Sequence, residues 1–128
     1  MEDFQWVYIR AACCPVEVLK KLRLGSQADV EAMNRITEQL HLPAGTSFEI
    51  QEYGDNFTVT RCAAPGQPSR SVEFSASGPT SIVAKDGKRE ILRAMLILNK
   101  EGRCVLLVET QELDLWQVRQ RALEGLLF

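Results

Sequence analysis

The spacing of apolar and polar positions changes period twice along this chain. From Phe4 to Ala12 the run FQWVYIRAA alternates, with Trp6, Tyr8 and Arg10 on one side and Val7, Ile9 and Ala11 on the other. Aromatic and β-branched residues suit a pleated surface, so this run predicts a strand. From Pro15 the spacing turns helical, with Val16, Leu19 and Leu22 recurring on one face. Proline fits the first position of a helix because the N–H it lacks has no partner there. Gly25 reads as a stop, and Ser26 followed by Asp29 reads as the capping box of a second helix. Val30, Met33, Ile36 and Leu40 line one face of that helix, and Pro43 and Gly45 close it. The expectation is two helices bent at a glycine.

From Phe48 the period becomes two. FEIQEY and FTVTRC flank Gly54, Asp55 and Asn56; SVEFSAS follows a Pro/Gly/Ser-rich loop; SIVAK and REILRAMLIL flank Asp86-Gly87; RCVLLVE follows Asn99 to Gly102. Strand-like runs joined by short glycine-containing turns predict consecutive hairpins. REILRAMLIL also contains helix formers, but the turns on both sides favour a strand. On either side of that turn the last two strands, from Leu96 and up to Val108, are apolar at nearly every position, which asks for cover on both faces. A final helix is expected from about Glu112 to Leu126, with Thr110 as its N-cap. Its apolar residues form two adjacent rows: Leu113, Trp116, Leu123 and Leu127 in one, Leu115, Val118, Ala122 and Leu126 in the other. A stripe that wide requires extensive packing.

These elements predict a single α+β domain over residues 1–128. An antiparallel sheet of about six or seven strands packs on a C-terminal helix, preceded by an N-terminal strand and the helical pair. That order, with AACCPVEVLKKL as its opening, resembles the helix-grip arrangement of the START and Bet v 1-like superfamily. The resemblance implies a curved sheet around the last helix and a cavity for a small apolar ligand. In length, charge and mixture of elements the chain is also similar to the small acidic chaperones of type III secretion. That likeness implies a dimer, and a helix where the alternation of Phe4 to Ala12 puts a strand.

Composition narrows the function classes. Of 128 residues, 45% are hydrophobic and 25% charged, which argues for a folded core and against disorder. A net charge of −2 and a pI near 5.5 argue against nucleic acid as a partner. MEDFQWVYIR lacks the basic start of an export signal, and the longest apolar run falls short of the roughly 20 residues of a membrane span. A cytoplasmic protein with no membrane association is expected. Its four cysteines, Cys13, Cys14, Cys62 and Cys104, are accordingly expected as reduced thiols.

Candidate chemistry is sparse. His41, the single histidine, follows Leu40 at a helix end, where a cation suits the carbonyls. Cys14, at a helix N-terminus, is the candidate reactive thiol, and paired with His41 it is the sharpest enzyme hypothesis. No ligand spacing suits a metal, no glycine-rich loop suits phosphate, and no cofactor is expected. The basic groups Lys20, Lys21, Arg23 and Lys85, Lys88, Arg89, and the acids Glu49, Glu52 and Asp55, read as solvated faces. What remains is the apolar tail. Trp116, Leu123, Leu126, Leu127 and Phe128 are expected to bind a partner, since grouped large apolar residues anchor interfaces. The leading expectation is therefore a small non-catalytic binding module that forms a homodimer or takes a protein partner. Second comes a carrier or sensor of a small apolar ligand, and third a thiol enzyme.

Overall fold

A computed structural model describes residues 4–128. Two helices come first, α1 (Trp6–Ala12) and α2 (Pro15–Ile36). Seven strands follow: β1 (Ser47–Tyr53), β2 (Asn56–Cys62), β3 (Arg70–Ala76), β4 (Ser81–Asp86), β5 (Arg89–Leu98), β6 (Cys104–Val108) and β7 (Gln111–Leu113). Helix α3 (Leu115–Leu127) closes the chain. Each strand pairs antiparallel with the next, so the sheet order is the sequence order. The α+β class and the antiparallel sheet agree with the sequence, and the strand reading of REILRAMLIL is β5.

The register assigns the two sheet faces. Phe57 lies opposite Phe74, Phe74 opposite Ala84, and Ala84 opposite Leu92, while Leu96 lies opposite Leu106 and Leu106 opposite Leu113. These side chains face α2 and α3 and form one core. At its centre the rings of Phe57 and Phe74 stack with centroids 4.7 Å apart. On the opposite face, β1–β3 carry Glu49, Thr58, Thr60 and Glu73, whereas β4–β6 carry Val83, Met95, Ile97, Val105 and Leu107. Neither α2 nor α3 covers that apolar half, although Val83 and Val105 are buried among their neighbours.

Four features differ from the sequence reading. Phe4 to Ala12 does not form a strand: its ordered part is helix α1, which buries none of its residues. Strand propensity measures fit to a half-buried pleated surface; with no such surface offered to this segment, a helix satisfies its own backbone groups. The expected helical pair is one helix of 22 residues. Gly25 lies in its interior, Ser26 is buried, and Asp29 pairs with Arg119 at 2.8 Å rather than capping. The last helix starts later than expected, with Asp114 as N-cap and the Gln117 side chain accepting from the Asp114 N–H at 2.8 Å. Gln111 to Leu113 instead pairs with β6 through a turn in which Glu109 takes φ 58°, a conformation the sequence does not advertise with glycine. Finally, Cys13 and Cys104 are joined by a disulfide, their Cα atoms 5.5 Å apart, and only Cys14 and Cys62 are free. Folding brings together two cysteines separated by 91 positions.

The disulfide fastens the start of α2 to β6. The other end of α2 is fastened to β1, where Asn34 Nδ2–H donates to the Phe48 carbonyl and Phe48 N–H donates to Asn34 Oδ1, both at 2.9 Å. An amide side chain thus stands in for a neighbouring strand at one residue of the sheet edge. The helix of 22 residues is about 33 Å long. Five strand spacings from β1 to β6 amount to about 24 Å, so α2 can serve both ends of the sheet.

Two outcomes follow for stability, both readable by chemical denaturation. Asn34→Ala removes both bonds to Phe48 and is expected to cost about 1–2 kcal/mol. The Ser26 hydroxyl is buried without a hydrogen-bond partner, so Ser26→Ala is expected to stabilise by about 1–2 kcal/mol, combining a removed desolvation penalty with better helix propensity.

Candidate interaction surface

Helix α3 carries its two apolar rows to two different neighbours. Val118, Ala122 and Leu126 are buried against the sheet. Leu123 and Leu127, one helical step around, are buried and line the boundary with α2. This accounts for most of the apolar tail within the chain itself: Leu123, Leu126 and Leu127 are buried rather than offered to solvent. The carbonyls that end α3 are also received by the sheet. Arg61 of β2 donates to the Leu126 carbonyl at 3.4 Å, and Arg70 of β3 donates to that of Gly125 at 3.3 Å. Cations at a helix C-terminus complement its dipole.

Trp116 and Phe128 are the exceptions. They are 55% and 67% exposed, and both flank a groove of about 340 Å³ between α2 and α3. From α2 the groove receives Ala32, Met33 and Ile36, and from α3 Leu123 and Leu127. Four of the five residues expected at a partner surface therefore meet in one place; Leu126 faces the sheet. Sequence reasoning missed the contribution of α2. Met33 and Ile36 were visible as a helix face, but nothing local says that α3 lies alongside.

A polar contact spans the groove. Arg119 Nε–H donates to Asp29 Oδ2 at 2.8 Å, with both side chains partly buried. The guanidinium rests against Gly25, and a Cβ at that position would overlap it. Gly25 is thus placed where α3 approaches α2, which explains a glycine inside a helix. Glu124 adds an acid to the groove wall.

The remaining candidates do not converge. Cys14 is the N-cap of α2, as expected, and is half-buried. His41 lies beyond the other end of the same helix with φ 55°. A helix of 22 residues separates them by about 33 Å, so they cannot act as a nucleophile and base pair. Three of the six basic side chains have acidic partners: Lys20 with Glu17 at 3.5 Å, Arg23 with Glu52 at 2.7 Å and Arg89 with Asp86 at 3.9 Å. Among the described residues no group of three or more His, Cys, Asp or Glu is placed to hold a metal ion, and no helix is long and apolar enough to cross a membrane. No protein-family model matches the chain, and comparison with curated proteins and with solved structures finds no match either.

The packing of Arg119 on Gly25 has a measurable signature. Gly25→Ala in a helix interior ordinarily gains about 0.5–1 kcal/mol. Here the gain should be largely offset by displacement of Arg119 from Asp29. In an Arg119→Ala background the full gain should return, giving a coupling of about 0.5–1 kcal/mol in a double-mutant cycle. Additive effects would show that the guanidinium does not sit there.

Proposed function

We propose that the protein is a small non-catalytic binding module whose α2–α3 groove takes the apolar side of another polypeptide, in the manner of a chaperone. The observation that carries this reading is the pair of exposed aromatic side chains, Trp116 and Phe128, flanking a groove with an apolar floor. Aromatic residues rimming a partly buried pocket are the usual anchors of protein interfaces. The first described element is a helix, as the likeness to secretion chaperones implies, and the helix-grip order loses the opening strand on which it depended. The interior between sheet and α3 is filled by Phe57, Phe74, Leu96, Val118 and Leu126. That filling favours the groove over a ligand cavity beneath the last helix. A second copy of the chain or a different protein can supply the occupant.

The groove is testable without knowing its natural occupant. Peptides selected from a random display library against the folded protein should carry apolar residues at helical spacing. Trp116→Ala or Phe128→Ala should weaken their binding by about 30-fold, equivalent to about 2 kcal/mol. Peptides that bind equally well to both variants would remove the groove as the functional surface. Native mass spectrometry of the purified protein separates the occupants. A doubled mass that reverts to one chain in the Trp116→Ala variant identifies a second copy. A gain of a few hundred daltons identifies a small ligand.

A further inference from the structure

The first helix is held in an unusual way. None of the residues of α1 is buried, and Trp6, Val7 and Tyr8 are all more than half exposed. Ile9 and Arg10 are partly buried, and two specific contacts lead toward the sheet. One is the Cys13–Cys104 disulfide at its C-cap. The other is the ring of Phe4, which rests against Gly102 in the turn before β6 and leaves no room there for a Cβ. The Arg10 guanidinium donates to the Cys13 carbonyl at 2.9 Å, a contact within the same segment. A helix of seven residues is too short to persist in water without support, because helix nucleation is unfavourable and few bonds repay it.

The sequence of the same segment prefers another conformation. FQWVYIRAA alternates and is rich in β-branched and aromatic residues, which favour extended backbone. Local preference and observed structure therefore disagree here, whereas they agree along β1–β6. Such disagreement marks an element that its surroundings must hold in place.

We propose that Cys13–Cys104 is a redox latch that keeps residues 4–12 docked as a helix and releases them when the bond is reduced. The reductant is a dithiol of the thioredoxin class or a small dithiol in solution. Cys104 is half-buried whereas Cys13 is buried in the core, so the incoming thiolate attacks the Cys104 sulfur. A mixed disulfide forms and Cys13 leaves as a thiolate, which takes up a proton. The second thiol of the reductant then closes its own disulfide and releases Cys104 as a thiol. One protein disulfide and one dithiol become two protein thiols and one oxidised reductant. The released segment loses the support its helix needs and reverts to the conformational range of its sequence, with Phe4, Trp6, Val7, Tyr8 and Ile9 free to meet other surfaces. Helix α2 stays in place, since its own core residues Val18, Leu19, Leu22, Val30 and Met33 do not depend on α1.

Thiol counting and hydrogen exchange test this on the full chain. After treatment with an oxidised small dithiol, alkylation under denaturing conditions should label two cysteines, Cys14 and Cys62; after dithiothreitol it should label four. Amide protection in residues 6–12 should fall at least fivefold on reduction, and trypsin should cut after Arg10 at least tenfold faster, while α2 and the sheet, less stable without the cross-link, keep the protection of a folded core. Cys104→Ser should match the reduced protein without any reductant. Equal protection in the oxidised and reduced forms would overturn the latch, because α1 would then be held by something else. Complete loss of protection across α2 and the sheet would overturn it too, because reduction would then unfold the whole chain rather than release one segment. Four labelled thiols after oxidation would mean that the bond does not form.

Discussion

The fold depends on helix α2 reaching from one side of the sheet to the other. A seven-stranded meander is built only from neighbours, and nothing in its own ladder stops distant strands from twisting or fraying independently. The apolar face of β1–β6 needs a single cover that touches both ends. Helix α2 provides it, packing along β1, continuing under β2–β4 and joining β6 through Cys13. Its two ends are fixed by different chemistry. At β1 two hydrogen bonds from one amide hold the edge, each worth about 1 kcal/mol. At β6 a covalent bond spans 91 positions of sequence, which in the chain-entropy treatment amounts to about 4–5 kcal/mol. Between these ends the contact with α3 is set by Gly25, where the missing side chain admits the Arg119 guanidinium.

Much of the sheet was legible because its signals are local. Two-residue periodicity and turns at Gly54, Gly87 and Gly102 mark six of the seven strands, and each of those glycines takes a positive φ. The seventh strand was hidden because its turn uses Glu109 in the same region of backbone space, which no composition rule flags. Gly25 misled for the opposite reason. A glycine that ends a helix and a glycine that makes room for a neighbour look alike until the neighbour is placed, and Arg119 lies 94 positions further along the sequence. Asp29 followed the same logic, since its partner is that same distant arginine.

The candidate surface divides in a similar way. The breadth of the apolar stripe on α3 announced extensive packing, and the sheet is the obvious first neighbour. The second, α2, is a tertiary fact. Once α2 is in position, Leu123 and Leu127 are buried beside it, and of the five residues only those at the margins, Trp116 and Phe128, stay exposed. Chemistry could be judged less well from residue types than from distance. Cys14 is at a helix terminus, as expected, but His41 lies in a turn past the opposite end of the same helix, and no local pattern reveals that a predicted break between them is absent.

The groove and the first helix lie toward opposite ends of α2, which bears on whether they act together. The groove takes its α2 residues from Asp29 to Ile36, whereas α1 joins the same helix at Cys14. A signal passing between them would have to travel along α2. That helix is held at mid-length by Arg119 and at its far end by Asn34, with a row of buried aliphatic side chains between. A rigid helix with such fastenings has one packed position rather than two, and coupling between sites requires an element with two. Release of α1 therefore adds a second, independent apolar segment at the β6 end of the molecule while leaving the shape of the groove unchanged.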